Sequence, residues 1–194
     1  MRALPSQIPD LRLFQAPVHR DARGWLVESF RAVDLLQAGL PSSFPQENCS
    51  LSEAGVLRGL HFQERQAQGK LITVLSGEIF DVVVDLRSGS PTRGWWLGLS
   101  LRADEPSSFW VPPGFAHGFY VRSGPALVQY KLTRPYAPRW DRCLAWDDPT
   151  LAIDWPLSGL PLLSERDRQG LSFAQVPAWS AQDDPPELSG QDAR

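Results

Sequence analysis

Apolar residues in this chain come in short runs broken by Gly, Pro and Ser, a pattern that predicts many short strands joined by tight turns. The clearest pair is residues 71–75 and 79–86, two β-rich runs around Ser76-Gly77-Glu78, which together predict a hairpin. Residues 44–51, 56–63, 95–101, 108–111, 117–121 and 126–132 predict further strands. Pro112-Pro113-Gly114 and Ser123-Gly124-Pro125 stand between them as turn signals. Toward the N-terminus, residues 8–14 predict an added edge strand, Asp21-Ala22-Arg23-Gly24 a turn, and residues 25–30 a strand containing Glu28. Residues 31–38 predict a brief helix through Val33, Leu35 and Leu36 that stops at Gly39 and Pro41. Residues 162–170 predict a turn or two of helix, with Ser164 as cap and Asp167 at the cap's third position. Few helices and a long strand series imply an all-β sandwich or barrel. The expected organisation is a single domain over residues 1–179, followed by a polar, loose tail over 180–194.

One strand concentrates chemistry. In Val56-Leu57-Arg58-Gly59-Leu60-His61-Phe62-Gln63, regular alternation puts Arg58 with Leu60 and Phe62, and His61 with Leu57 and Gln63. Gly59 inside the run signals a bulge or close backbone approach, which changes that facing locally. Lys70 follows after a short polar loop. Two permanent cations beside a titratable imidazole suit an anionic ligand and a proton transfer.

Composition narrows the class. The chain has 194 residues, 42% hydrophobic and 21% charged, with a net charge of -3. These values are ordinary for a soluble globular chain, with no basic excess to suggest nucleic acid. No apolar run approaches the length of about 18 residues needed to span a membrane. The start, Met1-Arg2-Ala3-Leu4-Pro5, lacks the apolar stretch of a secretory signal, so a cytoplasmic location is expected. Cys49 and Cys143 form no metal-type spacing or disulfide framework; both read as free, at least partly buried thiols.

Taken singly, the candidate residues have plain structural readings. A lone His in an apolar strand is more often structural, Tyr130 suits a core aromatic, Lys70 a hairpin edge, Asp167 a first helical turn, and Arg23 an exposed turn. His117 is more specific, because Pro112-Pro113-Gly114-Phe115-Ala116 delivers it to the mouth of a strand. His61 and His117 alone do not complete a metal's ligand shell, so no metal is expected. Neither a nucleophile elbow nor a nucleotide-triphosphate loop occurs in the chain.

Ordered motifs over residues 8–170 change that balance. They include Asp21-Ala22-Arg23-Gly24 with Glu28; Gln46-Glu47-Asn48; Val56 to Gln63; Gly69-Lys70-Leu71; Gly77-Glu78-Ile79-Phe80-Asp81-Val82; Trp110-Val111-Pro112-Pro113-Gly114-Phe115-Ala116-His117-Gly118-Phe119; Tyr130-Lys131; Tyr136-Ala137-Pro138; Trp146-Asp147-Asp148-Pro149; Ile153-Asp154-Trp155-Pro156; and Leu163-Ser164-Glu165-Arg166-Asp167. In these the chain resembles the dTDP-4-dehydrorhamnose 3,5-epimerases of the cupin superfamily. The resemblance implies a jelly-roll barrel with extra N-terminal strands and short peripheral helices. It implies inversion of C3 and C5 in dTDP-4-dehydro-6-deoxy-D-glucose, on the route to an L-rhamnose donor, without cofactor or metal. A related dTDP-4-keto-6-deoxysugar enzyme that inverts only one centre is the alternative.

By the same resemblance His61 is the base and Asp167 its partner, Tyr130 the acid on the opposite face, and Lys70 the cation beside the C4 oxygen. A phenol titrates near pH ~10 and so carries a proton to give. Arg58 and Arg23 are implied to bind the diphosphate, and His117 to line the sugar and phosphate end. Glu28, Gln46 and Asn48 are implied to contact the nucleotide, with Tyr136 on its thymine side. A homodimer sharing N-terminal strands is implied as well, with no nucleic-acid or membrane partner. The chain departs from the family pattern in Leu26, where many relatives have a Phe that stacks on thymine; Trp25 stands beside it. Phe62 replaces a common Tyr, and Cys49 a frequent His.

Overall fold

The computed structural model describes residues 2–4 and 8–184. They form strands β1 (Arg2–Leu4), β2 (Arg12–Gln15), β3 (Val18–Asp21), β4 (Gly24–Val27), β5 (Gln46–Ser52), β6 (Leu57–Gln63), β7 (Lys70–Asp85), β8 (Trp96–Arg102), β9 (Ser107–Val111), β10 (Phe115–Leu132) and β11 (Asp141–Cys143). Two short helices, α1 (Ala32–Gln37) and α2 (Glu165–Arg168), lie at the periphery. The strand series and both helices stand within a few residues of their predicted places.

β7 and β10 run antiparallel from end to end and make the spine. The first part of β7 pairs with β9 and the second with β8. The first part of β10 pairs with β6 and the second with β5. Both strands therefore pass from one sheet into another. One sheet reads β1-β2-β9-β7-β10-β5, the other β8-β7-β10-β6-β11. Ile72, Val74, Phe109 and Val128 of the first meet Ile79, Val83, Phe115 and Phe119 of the second in one buried core. Each such side chain contributes about 1.5–3 kcal/mol by leaving water. β3 and β4 pair only with each other.

The predicted hairpin at residues 76–78 is not formed. Ser76, Gly77 and Glu78 lie inside the sixteen-residue β7, and the turn expected at 123–125 lies inside β10. Both strands bend here together, and their register shifts between Val121 and Val128. Gly77 has φ +77°, and a Cβ on it would meet the Ala126 Cα at 2.8 Å. The glycine thus serves a bend between sheets, where strand pairing continues on both sides, and not a chain reversal.

A second glycine shapes the site. Along β6, His61 pairs with His117 while Arg58 pairs with Phe119, so β6 holds one residue more than β10 between these points. This is the bulge that Gly59 signalled. Gly59 has φ +118°, and a Cβ on it would stand 2.6 Å from the Gly118 Cα. The two backbones approach so closely that neither glycine admits a side chain. The extra residue turns Arg58 and His61 to one side, whereas a regular strand would separate them. Leu57 and Leu60 point away, into a core that Phe62 shares with Leu144, Leu151, Trp155 and Val176 of the C-terminal segment. That segment covers the outer side of β6 and carries α2. On the first sheet, Leu35 of α1 packs with Phe14, Leu71 and Trp110.

Two expectations change. Cys143 is buried but Cys49 is exposed, because β5 alternates and turns Glu47, Cys49 and Leu51 outward. The first residues of the expected tail are tied down: Ser180 accepts from the Gln182 N–H, and Asp184 pairs with the Gln66 N–H and with Arg134 at 2.9 Å. Residues 185–194 of that tail lie outside the described residues.

Gly59→Ala is expected to cost about 3 kcal/mol or more, since it combines a positive φ with an overlap of backbone atoms. Urea unfolding measures this as a lower midpoint. An unchanged midpoint would contradict the close approach of β6 and β10.

Candidate active site

A cavity of about 240 Å³ opens against β5, β6, β7 and β10. Gln46 and Asn48 reach it from β5, Arg58 and His61 from β6, Lys70 from β7, and His117 and Tyr130 from β10. Tyr136 lines it from the segment after β10. Residues as far apart in sequence as Gln46 and Arg166 thus share one polar opening at the edge of an apolar core. Asp167 stands behind His61 and is buried.

His61 Nε2 and Asp167 Oδ1 are 2.6 Å apart. An ionised carboxylate only accepts, so Nε2 carries the proton and Nδ1 is the bare nitrogen of the neutral ring. Nδ1 makes no hydrogen bond that would occupy it among the described residues. Asp167 is itself held from both sides. Its Oδ1 accepts from the Gly59 N–H at 3.3 Å, and its Oδ2 from the Ser164 hydroxyl at 2.6 Å. Ser164 is also the cap of α2, accepting from the Asp167 N–H at 3.2 Å. The bulge on β6 and the cap of α2 therefore orient one carboxylate.

The electrostatics keep this pair split into anion and neutral base. Burial opposes ionisation of Asp167, but the hydrogen bonds from His61, Ser164 and Gly59 win and hold it at about 2. Burial lowers the His61 imidazole below its ordinary value, and the Asp167 hydrogen bond recovers only part of that. Arg166 and Lys70 lower it further. At neutral pH the result is a carboxylate and an uncharged ring.

Lys70 is buried, and its Nζ donates to the His61 carbonyl at 3.2 Å. Burial pulls its ammonium down to about 8, against the attraction of Asp141 and Asp81. His117 Nε2 meets Asp81 Oδ2 at 2.8 Å, and Asp81 is fully buried. Arg58 is fixed at one end by its Nε–H to the Ser52 hydroxyl at 2.9 Å. At the far side, the Tyr136 hydroxyl donates to Asp141 Oδ2 at 2.8 Å and Arg166 pairs with Asp141 Oδ1 at 2.7 Å. The Gln46 Oε1 accepts from the Tyr136 N–H at 2.7 Å, and Gln46 donates to Asn48 Oδ1 at 3.0 Å. A neutral base, a phenol, a buried ammonium and a guanidinium around one cavity can hold an anionic substrate and move a proton on and off it.

A family model described as dTDP-4-dehydrorhamnose 3,5-epimerase matches residues 5–175. The dTDP-4-dehydrorhamnose 3,5-epimerase of Pseudomonas aeruginosa is 53% identical over 177 residues, covering 91% of this chain and 98% of its own. The chain belongs to the dTDP-4-dehydrorhamnose 3,5-epimerase family. It is an epimerase of that family, and its fold is the cupin-type jelly roll. A crystal structure of dTDP-6-deoxy-D-glucose-3,5-epimerase from Legionella pneumophila in complex with dTDP-4-keto-L-rhamnose superposes with a TM-score of 0.88 at 42% identity, over 93% of this chain and 99% of that one. A 3'-monoepimerase from Streptomyces bikiniensis in complex with dTDP-quinovose superposes at 0.83 with 33% identity, over 88% and 87%.

Two residues that the family resemblance places at the nucleotide stand elsewhere in this chain. Arg23 sits in the exposed β3–β4 turn, paired with Asp21 at 2.6 Å. Glu28 follows β4 and pairs with Arg31. Neither lines the cavity of its own chain. Conversely, Gln63, Asp81, Asp141 and Arg166 were not singled out from the sequence. Asp81 had a signal: it alternates with Ile79 and Val83, so it is a carboxylate on a core-facing side of β7. Asp141 and Arg166 had none, because their pairing joins segments twenty-five positions apart.

The charges give a direction for acid stability. Asp167 is depressed to about 2, so its stabilisation is present above about pH 4 and is lost as pH falls toward 2. His61 is lowered too, so the unfolded chain takes up that proton first and stability falls as pH drops below about 6.5. Both act the same way. Urea midpoints of the wild type are expected to fall steadily from pH 7 to pH 3, and Asp167→Asn to flatten the lower part of that profile. A wild-type profile that is level across this range would contradict the buried pair.

Proposed function

We propose that the chain inverts C3 and C5 of dTDP-4-dehydro-6-deoxy-D-glucose, giving dTDP-4-dehydro-L-rhamnose. The observation that carries this reading is the Asp167-held imidazole of His61 sharing one cavity with Tyr130 and Lys70. The C4 ketone acidifies the protons on C3 and C5. His61 Nδ1 takes one of them, the C–H electrons become the C=C of an enolate, and the charge settles on the C4 oxygen. Lys70 faces that oxygen as a cation, which lowers the barrier where charge develops. Tyr130 then gives its phenolic proton to the opposite face of the carbon and regains one from solvent, while His61 passes the proton it took to solvent and is neutral again. The second centre repeats the cycle.

The remaining residues hold the nucleotide. Arg58 takes the diphosphate, with His117 at the sugar and phosphate end, positioned by Asp81. Gln46 and Asn48 meet the nucleotide, and Tyr136 its thymine side. Arg23 and Glu28 act on the cavity of a second copy in a homodimer. In support, the β3–β4 hairpin projects from its own chain with Leu26 70% exposed and Trp25 46% exposed. Inversion at C3 alone is the second reading, favoured by the likeness to the Streptomyces monoepimerase. Identity is higher to the 3,5-epimerases, and the first reading rests on that.

Incubation with the 4-keto substrate in D2O, read by NMR, is expected to show deuterium at both C3 and C5. His61→Ala should slow uptake at both carbons by about 10²–10⁴-fold, the usual worth of a general base. Wild-type exchange in that variant would refute the base assignment, and uptake at C3 alone would favour the second reading. Tyr130→Phe should impair inversion at one centre at least, more than proton removal. Unchanged stereochemistry and rate in that variant would remove Tyr130 as the acid.

The pH profile tests Lys70. Because its ammonium titrates at about 8, kcat/KM should decline as pH rises past 8. Lys70→Arg, with a cation that does not titrate in this range, should lose that decline whatever its residual rate. A decline that persists in the arginine variant would assign it to another group.

A further inference from the structure

The proposed reaction leaves one group beside the base with no task. Cys143 ends β11 directly across from His61 on β6. Its Sγ lies 3.8 Å from Asp167 Oδ1, the same oxygen that meets His61 Nε2 at 2.6 Å. All three donor atoms fall within 4.8 Å of one another. Burial, with Asp167 beside it, pushes the thiol up to about 12, so it stays protonated as a weak, soft donor.

We propose that His61, Cys143 and Asp167 form a binding site for a thiophilic divalent cation of the zinc class, and that its occupancy switches the epimerase off. Imidazole, thiolate and carboxylate are the three ligand types that zinc accepts, with a fourth position left to water. Zinc bond lengths require tetrahedral edges of about 3.4–3.6 Å between such donors. The two separations at Asp167 Oδ1, 2.6 and 3.8 Å, lie on either side of that requirement, and the edge from Sγ to the imidazole, within 4.8 Å, closes by at most about 1.3 Å on binding. The ring and carboxylate need to part by less than about 1 Å, with the ion taking the place of the shared proton. The His61 side chain is 31% exposed and lines the cavity, which is the ion's way in.

The protons balance. The ion displaces the thiol proton to solvent, and the imidazole moves its own from Nε2 to Nδ1. A cation reverses the repulsion between thiolate and carboxylate that keeps the thiol neutral. Lys70 and Arg166 act on the same ring as cations and hold the affinity below that of a purely anionic cage. Once bound, the ion leaves Nδ1 protonated, so His61 cannot accept a substrate proton. The inhibition rests on His61 being the base; the binding does not.

Cobalt(II) titration of the full chain tests the binding, in a Cys49→Ser background because Cys49 is an exposed thiol. A thiolate-to-cobalt charge-transfer band is expected at one ion per chain, displaced by Zn2+ and absent in Cys143→Ala. Zn2+ should also stop deuterium exchange, and a chelator restore it. Cys143→Ala should tolerate at least about 100-fold more Zn2+, the upper end of what losing even an outer partner of a metal site costs. Cys143→Ser, nearly the same size, keeps the fold and should give an intermediate tolerance. Absence of a Cys143-dependent band, or equal zinc sensitivity in wild type and both Cys143 variants, would overturn the site. A Cys143-dependent band with exchange untouched would leave the ion site standing and count against His61 as the base.

Discussion

A single hydrogen bond, 2.6 Å from the His61 ring to the Asp167 carboxylate, joins the two halves of this chain's chemistry. Its value lies in what it prevents. An imidazole in this half-buried place, without a partner, has no fixed tautomer, and a buried carboxylate here without donors would take up a proton. Together they give an oriented neutral ring and an anion that does not titrate near neutrality. The pair exists only because the C-terminal segment crosses the outer side of β6. Leu144, Leu151, Trp155 and Val176 bind that segment down by apolar burial, and α2 then presents Asp167 at the bulge. Packing energy on one side of β6 thus sets proton affinity on the other.

The same logic of paired, buried polar groups extends through the cavity. Lys70, Asp81 and His117 lie where the interior core gives way to the opening. Each is bound to a partner, and this is how a β-sandwich tolerates charge against an apolar core. Such groups are held still, so that little reorganises when charge appears on a bound substrate. Tyr136, Asp141 and Arg166 tie the cavity's other side to the helix that carries Asp167. The His61, Cys143 and Asp167 cluster shows what else this economy of donors permits, since a soft thiol next to a base and an anion is a ligand set as well as a packing choice.

The strands, the capped helix at Ser164 and the bulge at Gly59 were legible in the sequence because each depends on neighbours within a few residues. The cap could be read from Ser164 and Asp167 alone, and Gly59 from its place in an apolar run. The bend at Gly77 was misread because a turn and a bend between sheets use the same residues locally. Only the partner strand, which bends with it, distinguishes them. The site residues were reached through resemblance and not through spacing: His61 and Asp167 are 106 positions apart, and nothing local links them. Arg23 and Glu28 are the counterpart case, legible as family motifs yet outside the cavity of their own chain. Asp81 is a charge at a core-facing position, but the strand around it reads as plain core.

The proposed chemistry of this site stands on the protonation of one ring. Nitrogen-15 NMR of the histidines at neutral pH measures it directly. His61 is expected as a neutral imidazole with the proton on Nε2 and a bare Nδ1, and Asp167→Asn should disturb that signal first. An imidazolium at neutral pH, or a ring protonated on Nδ1, would contradict the arrangement.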